Sequence, residues 1–147
     1  MKVVLKAVVI SVVILVAYVA LLFLQTFGGF GPVGAMTSRA ASGEIRTEQD
    51  YVEWVAASER LLTINLFMIW PILVILGALI LARWVDSVSI VAAAILALPS
   101  LIVMYPRSPS AAIAAFPAYV LTAWAVGRWV LNRRDRKLND HREILTP

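Results

Sequence analysis

Between Ala7 and Phe27 the chain places 21 consecutive residues without one charged side chain. At about 1.5 Å of helical rise per residue the run reaches roughly 31 Å, the thickness of a bilayer's hydrocarbon core. Lys2 and Lys6 precede it, placed to snorkel to headgroups, and Gly28 with Gly29 breaks the helix as it leaves the bilayer. Val33 and Ala35 have a spacing that would suit a signal peptidase. The apolar run, however, exceeds the roughly 7 to 15 residues of a signal core, so the segment reads as an uncleaved anchor.

Three more apolar runs follow. The second span, 61–83, meets no charge before Arg83 and holds Pro71 near its middle, which predicts a kink. The third covers about 88–105, opened by the capping candidates Asp86 and Ser87, interrupted by Pro99 and closed by Pro106. Only the four residues Trp84–Ser87 lie between these two spans, so they form a tight antiparallel hairpin. After a short turn, Ser110 caps a fourth span over about 111–131, with Pro117 in its second turn and Trp129 at its far end. Residues 28–60 are the one long polar stretch between spans. Within it Thr47 and Asp50 resemble a capping pair, predicting a helix from about Glu48 that carries Tyr51, Val52, Trp54, Val55 and Ala56. That helix either lies in the interface, with Trp54 at headgroup level, or runs on into the second span. The predicted fold class is all-α: a polytopic transmembrane bundle of four spans forming a single membrane domain over 1–147. A short interfacial helix sits in the outer loop 28–60, and a basic tail occupies 132–147.

Composition explains why the solvent must be lipid. The chain is 61% apolar and 15% charged, against about 45–50% and 25% in soluble domains. A soluble domain of this size would leave roughly 30% of its unfolded surface in water. The complete lack of cysteine removes disulfides, thiolate metal sites and cysteine nucleophiles.

Charge orients the bundle. With the N-terminus inside, the inner side collects Lys2, Lys6, Arg83, Arg128, Arg133, Arg134, Arg136, Lys137 and Arg142, and the outer side Arg39, Arg46, Arg60 and Arg107. The bias follows the positive-inside rule and places both termini in the cytoplasm, with the chain in the cell's inner (plasma) membrane. The basic stretch 128–142 begins at a span's end and is interleaved with Asp135 and Asp140. It therefore reads as a topology anchor on anionic lipid or a docking tail for a partner, and not as a nucleic-acid patch.

Chemistry inside a bilayer normally requires an ionisable group at depth, and none of the four spans has one. The deepest polar side chains are Ser11, Gln25, Thr63, Asn65, Ser89, Ser100 and Thr122. Gln25 and Asn65 fall near the outer ends of their spans and are expected to hydrogen-bond across a helix contact. Trp70 and Trp124 lie deeper than the aromatic belt and are expected to pack inside the bundle. These four are weak candidates for contact with a pigment, quinone or lipid. The single histidine, His141, lies in the polar tail, so one chain cannot build a bis-histidine haem site or a three-histidine metal site. No G-x-S-x-G occurs. Gly29, Gly31 and Gly34 match G-x-G-x-x-G in letters only, since a transmembrane helix and not a strand precedes them. Ala93 with Ala97, and Ala111, Ala114, Ala115 and Ala118, set small residues on one face each of spans three and four as packing seams.

The leading functional expectation is a non-catalytic accessory or scaffold subunit of a larger inner-membrane complex, such as a respiratory or photosynthetic one. It would have no cofactor of its own, would share pigment, quinone or lipid contacts with its neighbours, and would partner other membrane subunits and anionic lipids. Arg128, Arg133, Arg134, Arg136 and Lys137 would supply the docking. The alternative is a small oligomeric transporter or channel in which Pro71, Pro99 and Pro117 expose backbone carbonyls to a pathway. A membrane enzyme using Asp50, Glu53, Glu59 and Arg60 fits less well, because those residues resemble an ordinary charged helix face.

Overall fold

The computed structural model describes residues 2–27, 31–44 and 47–145, with side chains placed over 2–27, 33–44 and 47–138. Every regular element among them is helical: α1 (Lys2–Phe27), α2 (Gly31–Ala41), α3 (Glu48–Ile64), a π turn (Asn65–Ile69), α4 (Trp70–Trp84), α5 (Ile90–Met104) and α6 (Pro109–Leu145). Among the described residues three stretches are long and apolar enough to cross a membrane: Lys2–Phe27, Glu48–Trp84 and Pro109–Leu138. The segment expected as a third span is a shorter apolar helix, α5, of 15 residues, about 22 Å. Only 22 to 39% of each long apolar window is buried within the chain, which leaves most of that surface facing outward. Such surface is stable in lipid and not in water, and the chain is a membrane protein with several spans.

Local chemistry sets the helix ends. Thr47 caps α3 by accepting from the Asp50 N–H, while the Asp50 carboxylate accepts from the Thr47 N–H. This reciprocal box satisfies two donors that have no partner in the first turn. Helical structure then continues from Glu48 to Trp84, so the segment that begins at Thr47 runs on into the second apolar run. The π turn ends two residues before Pro71, which offers no N–H to the Phe67 carbonyl four residues back. A widened turn absorbs that mismatch.

Two expected caps shift. α5 is capped by Ser89, whose hydroxyl accepts from Ala92 N–H, and not by Asp86 or Ser87. α6 starts at Pro109 rather than after Ser110; proline fits a first helical position because its missing N–H has no partner there in any case. α2 falls in the expected outer loop. It ends at Ala41, and Gly43 just beyond it, with φ of +75°, accompanies N–H bonds from Gly43 to Ala40 and from Glu44 to Arg39 that collect the last carbonyls.

The helices form two compact units. In the first, the N-terminal half of α1 (to Ile14) joins α4, α5 and α6. α1 buries Ala7, Ile10, Ser11 and Ile14, a three-four spacing along one face. α6 packs against both α4 and α5 through Ala112, Tyr119, Ala123, Gly127 and Leu131, largely every fourth residue. The small-residue seam expected on α6 is thus displaced, since Ala114 and Ala118 are exposed. Ala93 and Ala97 of α5 are wholly buried as expected. Lipid tails are as apolar as leucine, so helices associate by close packing, and alanine and glycine mark the contacts. The second unit holds the rest of α1 from Leu15, with α2, α3 and the π turn.

Candidate functional site

Polar chemistry in the first unit gathers where α6 passes the turn joining α4 to α5. Trp124, Arg128, Leu131, Asn132 and Asp135 follow one another at helical spacing and form one stripe of α6. Facing them, the turn is fixed from two sides. Lys6 Nζ donates to the Trp84 carbonyl. Arg134 donates to the Val85 carbonyl at 3.5 Å and to Asp86 Oδ1 at 3.0 Å. The Asp86 side chain is fully exposed, so this ion pair orients the turn more than it stabilises it. Between turn and stripe lies an open cleft of about 290 Å³, lined by Asp86, Ser87 and Val88 together with the five residues of the stripe.

The cations expected to dock a partner divide into three groups. Arg128 lies over the Trp124 ring, 5.2 Å from its centroid, and Arg133 over Trp129 at 4.4 Å; both are cation–π contacts. Arg134 holds Asp86 and contacts Asp135 at 4.0 Å. Arg136 and Lys137 are exposed and appear in no ion pair among the described residues. Of the four weak cofactor candidates, Trp124 lines the cleft and Trp70, wholly buried in the same unit, does not.

Gln25 and Asn65 belong to the second unit, where their expected mutual bond does not form. Asn65, 2% exposed, instead donates from Nδ2 to the Tyr18 hydroxyl at 3.1 Å. Asn65 Oδ1 and Gln25 Oε1 are buried without a hydrogen-bond partner among the described residues. Sequence reading passed over Tyr18 because its ring counts as apolar. The available signal was a phenol in mid-span that needs a partner. Replacing Tyr18 by phenylalanine strips Asn65 of this bond, and the expected loss is about 1 kcal/mol, near the values for interhelical polar contacts in bilayers. Unfolding in mixed detergent measures it. Adding Asn65→Leu should recover most of the loss, and an unchanged Tyr18→Phe would mean that the bond contributes no stability.

Two acids of this unit, Glu44 and Asp50, perform structural work. Asp50 caps α3 and pairs with Arg39 at 3.4 Å, and Arg39 also meets Glu44 at 3.6 Å. Among the described residues no group of three histidine, cysteine or acidic side chains is placed to hold a metal ion. No protein-family model, curated protein or solved structure matches the chain.

Proposed function

We propose that this chain is a non-catalytic accessory subunit of a larger inner-membrane complex, docking through the cationic end of α6. One observation carries the reading: α6 is helical without interruption for 37 residues, about 55 Å, where a hydrocarbon core needs about 30 Å. The segment beyond Leu131 therefore stands roughly 21 Å clear of the membrane as a rigid arm. The arm is mostly polar, with Leu138 and Leu145 seven residues apart on one face, and such a helix suits bridging to another body. Arg136 and Lys137, in no ion pair among the described residues, fit an acidic protein face, while Arg128 and Arg133, each stacked on tryptophan, fit the level of anionic headgroups.

In this reading the chain crosses four times with both termini in the cytoplasm. The third crossing uses α5 extended by its flanks to about 88–105, roughly 27 Å, a mismatch that a bilayer absorbs by local thinning. The start of α3 lies at the outer interface with Trp54 among the headgroups. Pigment, quinone or lipid shared with neighbours would lie against the open cleft at Trp124.

The test is recovery of the tagged chain in mild detergent, with its companions and their absorbance identified. Stoichiometric recovery with a larger complex is expected. Arg136→Glu combined with Lys137→Glu should reduce that recovery at least about tenfold, the effect of roughly 1.4 kcal/mol, while the chain still inserts. A lone homo-oligomer that moves a solute in liposomes would overturn the proposal in favour of a transporter.

A further inference from the structure

We propose that the cleft between α6 and the α4–α5 turn binds the headgroup of a zwitterionic aminophospholipid, taking its phosphate at Arg128 and its ammonium at Asp135. The lining offers charge of both signs within one small space: Arg128 on α6, and Asp86 and Asp135 at the turn and the next turns of α6. Asp86 already has Arg134 at 3.0 Å, whereas the Arg134–Asp135 contact is a loose 4.0 Å. Asp135 therefore keeps acceptor capacity for a donor in the cleft. Arg128 meets an aromatic face rather than a carboxylate, which fixes its stem and leaves its forked N–H donors for a phosphate. Asn132 and Ser87 add neutral hydrogen-bonding groups, and Val88 and Leu131 supply an apolar floor.

Two features separate this ligand from an anionic lipid. A monoanionic headgroup would satisfy Arg128 but would bring no cation to Asp135, whose contact with Arg134 is loose. A headgroup carrying an ammonium complements both ends. The volume of about 290 Å³ sits at the lower edge of small-molecule sites, roughly 300–1,000 Å³, and suits a headgroup whose acyl chains stay in the bilayer. Trp124, expected to pack inside the bundle, is only half-buried beside the cleft, and Trp129 with Arg133 stacked on it is a pair typical of headgroup depth. The site does not depend on Arg136 or Lys137, so it stands or falls separately from the docking of the arm.

The test uses the full-length chain in nanodiscs of equimolar phosphatidylethanolamine and phosphatidylglycerol, followed by extraction into mild detergent and mass spectrometry of retained lipid. Phosphatidylethanolamine should be retained preferentially. Arg128→Gln and Asp135→Asn should each reduce that preference about tenfold, the loss of one charge-assisted contact, whereas Arg136→Gln should leave it intact. Arg128→Lys, which keeps the charge, should retain part of it and serves as the folding control. Equal or greater retention of phosphatidylglycerol, or a preference indifferent to both cleft variants, would overturn the assignment.

Discussion

Trp70→Ala is expected to be the most damaging single substitution in the bundle, lowering stability by about 3 kcal/mol, the low end of the range for deleting a buried tryptophan. Trp70 is the largest wholly buried side chain among the described residues. In water, truncation costs both the transfer of the lost atoms and the cavity left behind. In a bilayer the first contribution shrinks, because lipid tails receive an indole's apolar surface almost as well as the protein interior does. The lost dispersion contacts remain. Trp129, 54% exposed, should cost under about 1 kcal/mol on the same change. Unfolding of the purified protein in mixed detergent provides the comparison, and equal effects at 70 and 129 would show that the interior around Trp70 is not packed.

Gly127→Ala is the second large effect, about 2 kcal/mol, within the usual cost of overpacking. A methyl at 127 would lie 3.0, 3.1 and 3.2 Å from Val88 Cγ2, Cγ1 and Cβ. Valine is stiff at χ1, and with Cβ itself among the close atoms no rotation clears the space. The α4–α5 turn would have to retreat from α6, widening the cleft. Gly77→Ala offers a control in which the nearer contact is the cheaper one. Its methyl would meet Ile14 Cδ1 at 2.5 Å, with Ile10 and Leu96 at 3.5 Å; a terminal methyl can swing away, so under about 1 kcal/mol is expected. Adding Val88→Ala should restore most of what Gly127→Ala loses. Failure of that rescue would place the strain elsewhere.

The apolar runs, the helix cap at Thr47 and the burial of Trp70 were legible from residue type alone, because hydropathy and capping are local properties. Which face of α6 packs was not legible. In a lipid-facing helix both faces are apolar, so Ala114 and Ala118 look as suitable as Ala112 and Ala123, and only the neighbours decide between them. The helical continuation past Leu131 was also missed. Loss of hydrophobicity reads as the end of a span, but an established helix propagates through Arg, Lys and Leu at little cost once its nucleus exists. Asn65 was marked correctly as a buried amide while its partner was misassigned. Matching depth along two spans pointed to Gln25, and the phenol of Tyr18 lay on the surface that Asn65 meets. The cleft combines a turn and a helix more than thirty residues apart in sequence, so it required the fold to appear.

Four crossings with the cationic arm inside are the centre of this account, and the lack of native cysteine makes them directly measurable. Single cysteines at Ser42, Ser87, Arg107 and Leu138, all in exposed positions, can be probed in intact cells with a membrane-impermeant maleimide. Positions 42 and 107 should label from outside, and 87 and 138 only after the membrane is opened. Labelling of 87 and 107 from the same side, or of 138 from outside, would contradict the account.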